Sequence, residues 1–478
     1  MPEDPYDQLP YTDHAYAESH PDRLAVVARL SGWEPANVEA ARVLELGCGR
    51  GGNLLPMASA LAGATVVGVD RSRRQIDEAR AIASAAGLGN ARFVEASFEA
   101  PAGVTGPFDY VIAHGVASWV PPASRRGLLA SVARALAPRG VAYVSFNVLP
   151  GWYERMAARD WLRSDGGPDA RASIAWLRDR VSPENADYRR RLDAVAARLG
   201  ETDIAYVTHE YLAGEHHPQL ARELLAEATD AGLAYLGDAI PAETALELLA
   251  DDVRARARGM DAAGAQQLVD FVRNTAFRRA LFVRADEAVA RGWRWSPDLA
   301  VEALDGLRLA SRLRPHGDAA SEAPAERFDA PDVSVQIDDA TTRRALRELA
   351  RVAPRSLPFA ELARRVASKD PAAPRRELFD LWLATGAVDL HVHEPSLAVA
   401  AGERPLACPV ARWHARSGGA VTNRWHQEVR LDEAPLRRVL AVLDGTRTVG
   451  EVSTAAACSE DTARASVAAL AAAALVVA

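Results

Sequence analysis

Residues 43–53 read Val-Leu-Glu-Leu-Gly-Cys-Gly-Arg-Gly-Gly-Asn, a short apolar run that passes into a glycine-rich turn. The apolar run predicts a buried strand, and a helix is predicted to begin at Asn53. Gly47, Gly49 and Gly52 match the pattern GxGxxG, and glycine lets a backbone adopt positive φ and approach a ligand closely. The stretch therefore predicts a strand, a ligand-binding turn and a helix, which together form the first unit of an α/β sheet.

Short apolar runs and helical segments continue to alternate from Arg42 to Asn147. Strands that alternate with helices indicate right-handed βαβ units, which build a parallel, doubly wound sheet. Two later runs, GLAYLGDAI (232–240) and FRRALFVR (277–284), are predicted to be the last two strands of the same sheet. The predicted fold class is therefore α/β, with a Rossmann-like doubly wound sheet.

The remaining sequence predicts helical insertions in this domain and smaller units after it. The segment RPHGDAASEAPAERFDAPD (314–332) has no apolar period and is rich in Pro, Ala and charge, which indicates a linker. The predicted divisions are a sheet domain over 1–290 with helical insertions at about 153–217 and 240–275, a helical connection and linker over 291–332, and winged-helix-like α+β units over 333–400 and 401–478.

Composition excludes several classes of function. The 478 residues carry a formal net charge of −8, which argues against a general nucleic-acid-binding surface. The first ten residues lack the features of a secretory signal, and the longest apolar run, 465–478, is shorter than the roughly 18 residues that a membrane span needs. Three separated cysteines suggest neither a disulfide framework nor a metal site. We therefore expect a cytoplasmic protein with no metal, no membrane anchor and no nucleic-acid partner.

Asp70 ends the predicted strand VVGVD, 23 residues after Gly47. A carboxylate there accepts hydrogen bonds from the hydroxyls of a ribose, which NAD and S-adenosylmethionine both carry. Glu45 distinguishes these ligands, because a carboxylate at the mouth of the turn repels a pyrophosphate and attracts a sulfonium and an amino group. The pattern favours S-adenosylmethionine as cofactor and S-adenosylhomocysteine as product. A plain strand–helix turn without a ligand is the alternative.

Ligands of open α/β sheets bind outside the carboxyl ends of the strands. Ser97 is expected near the adenine amino group, with Phe98 beside the ring. The candidate cofactor-binding residues are Glu45, Gly47, Cys48, Gly49, Asn53, Asp70, Arg71, Ser97, Phe98 and His114.

Candidate catalytic residues follow the fourth and fifth strands. His114 fits either a general base near neutral pH or a hydrogen-bonded structural histidine. Asn147 offers a neutral donor and acceptor, or belongs to a turn that closes over the core. Trp119 and Trp152 lie at the same predicted edge. The [DN]PP[YF] motif of amide and adenine N-methyltransferases is absent, which argues against those acceptors.

Longer motifs extend over nearly all of residues 1–290 and, more loosely, over the C-terminal half. They are YDQLPY (6–11), SHPDRLA (19–25), ELGCGRGGN (45–53), HGVASWVP (114–121), FNVLPGW (146–152), THEYL (208–212), AGLAYLGDA (231–239), LVDFVRNTAFRRAL (268–281), RPLACPVARWHA (404–415) and LDGTRT (443–448). In these motifs the chain resembles class I S-adenosylmethionine-dependent methyltransferases that carry a methyltransferase regulatory domain. The resemblance is closest to the rickettsial-type lysine methyltransferases of outer-membrane proteins.

The resemblance implies a protein lysine as the methyl acceptor. Two positions depart from the family pattern: Ala117 and Phe146 stand where tyrosine is usual, so two hydroxyl groups near the substrate are missing. The family's cofactor contacts carry over, where the motif letters match, to Glu45, Gly47, Gly49 and Asp70.

Tyr6 and Tyr11 of the YDQLPY segment are candidate catalytic residues in a lid that excludes water from the donor site. Together with Trp119 and Trp152 they offer cation–π contact to a lysine, although each also fits a core aromatic. Methyl transfer from a sulfonium is an SN2 displacement, so positioning and desolvation of the amine are expected to carry most of the catalysis.

The sequence thus predicts a methyltransferase that acts on a protein lysine or another amine. One alternative is an O- or N-methyltransferase for a natural product or peptide. A more remote alternative is a DNA-interacting regulatory protein, because of the winged-helix-like units. The acceptor is expected to be a protein or a small molecule, and the helical insertion is expected to form a homodimer contact or a wall of the substrate site.

Overall fold

The computed structural model describes residues 9, 13–165, 167, 169–317, 325–366, 372–400 and 402–477. Within these ranges the central sheet has eight strands. Their bounds are β1 (Arg42–Leu46), β2 (Thr65–Asp70), β3 (Ala91–Glu95), β4 (Phe108–Ala113), β5 (Leu136–Leu149), β6 (Gln219–Leu220), β7 (Leu233–Asp238) and β8 (Phe277–Arg284).

The sheet has the strand order β3-β2-β1-β4-β5-β8-β7, and β6 pairs with the end of β5. Strands β1 to β5 are parallel to their neighbours among themselves, whereas β8 lies antiparallel between β5 and β7. The carboxyl ends of β1, β2 and β4 therefore meet at one edge, where the order of the strands reverses. The predicted doubly wound α/β sheet is confirmed, including its last two strands.

Helices flank the sheet and fill the insertions between its strands. The ring of His20 caps the helix Pro21–Leu30 by accepting from the Asp22 amide (3.2 Å), and Ser72 caps the helix Arg73–Ala85 by accepting from the Gln75 amide (3.1 Å). The helices up to residue 290 are α1 (Pro21–Leu30), α2 (Leu54–Ala60), α3 (Arg73–Ala85), α4 (Pro122–Ala135), α5 (Tyr153–Asp165), α6 (Ala170–Arg180), α7 (Ala186–Glu201), α8 (Ile204–Val207), α9 (Ala221–Asp230), α10 (Pro241–Thr244), α11 (Asp251–Ala257), α12 (Ala262–Arg273) and α13 (Ala285–Ala290).

Both faces of the sheet are covered by apolar cores. Val43 of β1 packs on one face with Ile76 of α3, and the next residue, Leu44, packs on the other face with Leu128 of α4 and Leu224 of α9. Because side chains alternate along a strand, a sheet covered on both faces needs strands that are apolar throughout. This requirement explains the unbroken apolar runs in the sequence.

Helices α5 to α8 form a separate small core beside the sheet. Its buried residues include Ile174, Leu192, Leu199 and Val207. The chain then makes one π-helical turn over Thr208–Leu212 before it returns to the sheet. None of the helices in the described ranges combines the length and the apolar character needed to cross a membrane.

A middle unit follows the sheet domain. The sequence predicts a linker over residues 314–332, but this segment contains two strands of the middle unit. The side chain of Phe328 in the second strand is buried in the same apolar cluster as Leu313 and Leu346. A single buried aromatic residue does not produce an apolar period, so the sequence pattern does not reveal these strands. The elements are β9 (Arg308–Ser311), β10 (Arg314–Pro315), β11 (Glu326–Asp329), β12 (Ser334–Ile337), α14 (Ala340–Val352), β13 (Leu357–Pro358), α15 (Phe359–Arg365), α16 (Ala372–Thr385) and β14 (Val388–His391).

The C-terminal unit packs against the sheet domain through α17, which contacts α2 and α3. Its apolar core is continuous with the core on that face of the sheet. Strands β16 and β17 form a hairpin, and β15 pairs with β18. The elements are β15 (Leu406–Ala407), α17 (Pro409–Ser417), β16 (Val421–Thr422), β17 (Glu428–Val429), α18 (Ala434–Val442), α19 (Val449–Ala455), α20 (Glu460–Ala472) and β18 (Val476–Val477).

Asp22 connects α1 to the middle unit. Its carboxylate accepts hydrogen bonds from Nδ1 of His391 (2.7 Å) and from the amides of Val392 (2.8 Å) and His393 (3.0 Å). Burial raises the pKa of the Asp22 carboxyl, but the adjacent His391 ring and Arg23 outweigh that effect and hold the pKa at about 2. Asp22 is therefore an ionised acceptor buried between the two units.

Replacement of Asp22 by alanine is expected to lower the free energy of unfolding by about 2–4 kcal/mol, because two amides and an imidazole N–H lose a buried, charged acceptor. Urea unfolding followed by circular dichroism measures the change. Asp432→Ala is the control, since Asp432 is exposed, and it should leave the transition within about 0.5 kcal/mol. Equal effects of the two substitutions would contradict the role of Asp22 as a buried, ionised acceptor between α1 and the middle unit.

Candidate functional site

The glycine-rich turn follows β1 at the edge of the sheet where the strand order reverses. Gly47 and Gly49 have φ values of 80° and 52°, in the left-handed region that favours glycine. A Cβ atom on Gly47 would lie 2.6 Å from Cγ2 of Val116, and one on Gly49 would lie 3.0 Å from Oε1 of Gln75. A side chain at Gly47 would therefore collide with the loop that follows β4, so the turn requires glycine at this position.

The Asp70 carboxylate lies at the end of β2, beside the turn. Oδ2 accepts from the Gly49 amide (2.9 Å) and Oδ1 accepts from the Ser72 amide (2.9 Å). These two bonds hold the side chain in one orientation against the glycine turn, and Arg71 follows at the surface. The arrangement suits a diol ligand, because each carboxylate oxygen can accept further hydrogen bonds.

Glu45 is buried at the end of β1 with one oxygen bound and one bare. Oε1 accepts from Nδ2 of Asn53 (2.9 Å), whereas Oε2 has no hydrogen-bond partner among the described residues. Burial raises the pKa of this carboxyl to about 8. A buried carboxyl with a free oxygen attracts a cationic ligand group, which would supply both the missing partner and a compensating charge.

Asn53 makes further contacts with the segment that precedes α1. Its Oδ1 accepts from the Tyr16 amide (3.0 Å), and its Nδ2 donates to Oγ of Ser19 (3.0 Å). His426 of the C-terminal unit also lies against this oxygen, with Nε2 at 2.9 Å. The candidate cofactor residue Asn53 therefore contacts Glu45 and two other parts of the chain.

The other candidate cofactor residues differ in what they can offer. The Cys48 side chain is buried against Gly68, and its thiol donates to the carbonyl of Gly49 in the turn (3.6 Å). Ser97 is exposed after β3, where its hydroxyl accepts from the Glu99 amide (3.2 Å). Phe98 is half-buried against the core on the α4 face.

His114 lies in an aromatic cluster at the end of β4. Its ring stacks on Tyr16 with a centroid distance of 3.5 Å, and its Nδ1 lies 2.9 Å from Oη of Tyr143. Phe277 contacts the same ring edge-on, with centroids 6.0 Å apart. Burial lowers the pKa of His114 to about 3. The imidazole is therefore neutral and too weakly basic for the predicted role of general base near neutral pH, and the hydrogen-bonded alternative describes it better.

Trp119, Asn147 and Trp152 meet around a histidine that the sequence does not single out as a site residue. The ring of His216 stacks on Trp119 (centroids 4.6 Å apart) and lies against Trp152 (4.2 Å). Its Nε2 lies 3.1 Å from Nδ2 of Asn147. Within the described residues, the buried Nδ1 of His216 and Nε1 of Trp152 have no hydrogen-bond partner. This aromatic cluster therefore contains two buried polar atoms without a hydrogen-bond partner in the described part of the chain.

Sequence reasoning missed Tyr16 and His216. His216 enters the cluster because the His217 amide donates to the carbonyl of Ser118 (2.8 Å), a contact between segments that are about a hundred residues apart. Tyr16 lies just before SHPDRLA, and only its stacking on His114 reveals a role. No local motif marks either residue.

The predicted lid residues Tyr6 and Tyr11 lie outside the described residues. Between them, the carbonyl of Leu9 lies 2.6 Å from Nε2 of His209, which belongs to the π-helical turn. The two family departures, Ala117 and Phe146, are buried side chains in the core on the α4 face. In the described part of the chain, no group of three histidine, cysteine, aspartate or glutamate side chains is arranged to hold a metal ion.

Three family models match separate parts of the chain. A methyltransferase domain matches residues 43–140, which include the glycine turn and Asp70. A predicted methyltransferase regulatory domain matches residues 203–284, and the C-terminal winged helix domain of PKMT matches residues 403–467.

Curated relatives occur in Rickettsia prowazekii and Synechocystis. The chain is 33% identical to the uncharacterized protein RP789 over 297 residues, which are 60% of this chain and 54% of RP789. It is 30% identical to the uncharacterized protein RP028 over 216 residues, which are 43% of this chain and 86% of RP028. The uncharacterized Synechocystis protein sll1526 is 28% identical over 63% of this chain and 61% of its own length. The chain thus spans about half the length of RP789.

Two solved structures of PKMT2 from Rickettsia typhi share the fold over nearly the whole chain. The complex with AdoHcy has a TM-score of 0.86 and 21% identity, and the match covers 98% of this chain and 100% of PKMT2. A second PKMT2 structure has a TM-score of 0.85 at the same identity. The predicted combination of a methyltransferase sheet with C-terminal winged-helix units is confirmed.

Acid is expected to destabilise the protein through its buried histidines. Burial lowers the pKa of His20 to about 3, so between pH 6.5 and 3 the unfolded chain binds a proton that the folded chain does not, and stability falls as the pH drops. His20→Asn keeps a cap acceptor for α1 but removes the titration. The loss of unfolding free energy between pH 7 and pH 5 should shrink by up to about 2 kcal/mol.

Urea unfolding at the two pH values measures this difference. Asn185→Ala is the control, because Asn185 is exposed and carries no titratable group, and it should keep the acid sensitivity of the unmodified chain. An unchanged loss in His20→Asn would show that His20 does not contribute to it.

Proposed function

Because the chain belongs to the family of class I methyltransferases with a methyltransferase regulatory domain, we propose that it transfers a methyl group from S-adenosylmethionine to a protein lysine. The proposal depends on two carboxyl groups beside the glycine turn. Glu45 has an oxygen without a hydrogen-bond partner among the described residues, and the Asp70 carboxylate is held in one orientation by the Gly49 amide. The first suits an ammonium group and the second suits a ribose diol.

The residues present fit this cofactor. Glu45 would hold the amino group of the methionine part, Asp70 the ribose hydroxyls, and the backbone of Gly47 and Gly49 would lie along the ligand. When bound, S-adenosylmethionine supplies an electrophilic methyl group on a sulfonium. A dinucleotide fits less well, because its anionic pyrophosphate would find no counter-ion at Glu45, whereas a cationic amino group can pair with the ionised carboxylate.

On the acceptor side, Tyr16, His114 and Phe277 form an aromatic cluster at the carboxyl end of β4, and the fully buried Tyr143 stacks on His114. A dry aromatic surface lowers the pKa of an ammonium group by desolvation, which favours the neutral, nucleophilic amine. The neutral His114 ring adds no positive charge that would repel the amine before it loses its proton to solvent. These residues orient the amine and exclude water, and SN2 transfer requires little else.

A protein lysine is preferred over other acceptors because the motifs HGVASWVP and FNVLPGW resemble those of rickettsial-type lysine methyltransferases. The AdoHcy bound to PKMT2, which shares the fold, supports the choice of cofactor. We also propose a cytoplasmic location, the predicted bounds of the sheet domain (1–290) and of the C-terminal unit (401–478), and an acceptor site bounded by the helical insertion or by a dimer contact of that insertion.

The direct test is a transfer assay with tritiated S-adenosylmethionine and cell lysate, in which protein and small-molecule fractions are separated. We expect label in protein, on lysine after acid hydrolysis. Self-labelling contributes little background, because Lys369 is the only lysine of the chain. Label confined to small molecules would instead support the natural-product or peptide alternative, and binding of NAD without S-adenosylmethionine would refute the proposal.

Asp70→Asn should weaken S-adenosylmethionine binding by about 10- to 100-fold in a calorimetric titration, because a charged acceptor for the ribose is lost. Asp77→Asn is the matched control, since Asp77 is exposed on α3, and its affinity should equal that of the unmodified chain. Equal affinities in all three proteins would remove Asp70 from the site.

Cofactor binding at pH 7 is expected to release about one proton, because the Glu45 carboxyl, with a pKa of about 8, must ionise to pair with a cationic ligand. Calorimetry in two buffers with different ionisation enthalpies measures this release. Glu45→Gln should abolish the release and weaken binding. Release that persists in this variant would point to another group.

A further inference from the structure

The hairpin of the C-terminal unit, formed by β16, β17 and the turn of residues 423–427 between them, packs against the proposed donor site. Nη1 of Arg424 donates to the carbonyl of Ser59 (2.7 Å) at the end of α2. The carboxylate of Glu428 accepts from Nδ1 of His14 (2.8 Å), in the segment before α1. The hairpin is therefore held between the helix that follows the glycine turn and the segment that carries Tyr16.

His426 lies in this turn, and its ring reaches Asn53. The side chain is buried, and its Nε2 lies 2.9 Å from Oδ1 of Asn53. An amide oxygen can only accept, so Nε2 must carry the proton and donate it. This contact fixes the tautomer of His426 and the direction of the hydrogen bond.

The Tyr16 backbone amide, which can only donate, independently sets the orientation of the Asn53 amide, and the contact with His426 adds a second donor on the same side. On the oxygen side, Asn53 faces two donors, His426 Nε2 and the Tyr16 amide; on the nitrogen side, it faces the Glu45 carboxylate. A flipped amide would place its NH₂ against two N–H groups and would remove the N–H donor from Glu45 Oε1. His426 thereby helps to keep the Nδ2 donor directed at Glu45 Oε1.

We propose that His426 is a positioning residue of the donor site, which holds the Asn53 amide in the orientation that leaves the bare oxygen of Glu45 for the methyl donor. The inference rests on the proposed function, in which Glu45 binds the amino group of that donor. It makes the C-terminal unit a component of the donor site.

The electrostatics of the turn agree with this role. Burial lowers the pKa of His426 well below its usual value, so the ring is neutral at physiological pH. A protonated ring at this position would add a positive charge near Glu45 and compete with a cationic ligand. The neutral ring provides one N–H without that charge.

The test compares His426→Gln with His426→Leu in the full-length chain. His426 has a φ of 60°, so the two variants carry a similar backbone strain, but only glutamine has a side-chain N–H that can replace Nε2. Titration calorimetry with S-adenosylmethionine and with S-adenosylhomocysteine measures both affinities. We expect about three- to tenfold weaker binding for His426→Leu and binding within about twofold of the unmodified chain for His426→Gln.

A control separates positioning from mere docking of the C-terminal unit. Trp425→Phe removes the hydrogen bond from Nε1 to the carbonyl of Pro354 (2.9 Å) in the middle unit and leaves the Asn53 contact in place. It should lower the thermal unfolding temperature without changing the affinity for S-adenosylmethionine. His426→Leu should raise the KM for S-adenosylmethionine and leave the KM for the acceptor unchanged. His426→Ala provides the same comparison if the leucine variant does not fold.

Three results would overturn the inference. They are unchanged affinity in His426→Leu or His426→Ala, a loss in Trp425→Phe as large as the loss in the His426 variants, and a loss in His426→Gln equal to that in His426→Leu. If the unmodified chain binds neither S-adenosylmethionine nor S-adenosylhomocysteine, the proposed function itself fails. The two failures are therefore distinguishable.

Discussion

The side-chain amide of Asn53 joins three regions of the chain that are far apart in sequence. It donates to Glu45 at the end of β1, accepts from the backbone before α1, and contacts His426 of the C-terminal unit. An amide has two distinct faces, so these partners allow only one orientation. The position of the Glu45 carboxyl, and with it the electrostatic character of the glycine turn, depends on this constraint.

Desolvation determines the chemistry around this amide. His20 and His114 are neutral because burial penalises the imidazolium, and Glu45 retains a proton for the same reason. These three side chains are therefore uncharged at neutral pH when no ligand is bound. A cationic ligand restores the charge of Glu45, whereas an anionic ligand finds no counter-ion there. This asymmetry is the physical basis for preferring a sulfonium over a pyrophosphate at this turn.

The interfaces between units rely on the same kind of contact. Asp22, as an ionised carboxylate, joins α1 to the middle unit through three donors, and Arg424 joins the C-terminal unit to α2. These buried polar contacts specify one arrangement of the units, because a shifted interface would leave charges and amides unpaired. The helix that follows the glycine turn and the segment that precedes α1 are thus held by residues from the other end of the chain.

The sequence by itself determined the sheet, the glycine turn and the carboxylates Glu45 and Asp70. These features depend on short-range patterns: apolar runs of strand length, glycines at positive φ, and a fixed spacing within one βαβ unit. Only the tertiary structure decided that Tyr16 stacks on His114, that His216 lies between Trp119 and Trp152, and that His426 contacts Asn53. It also replaced a predicted linker by strands anchored on Phe328 and a predicted general base by a neutral imidazole. Such contacts join residues up to several hundred positions apart, and the burial that shifts their pKa values arises only when the units pack together.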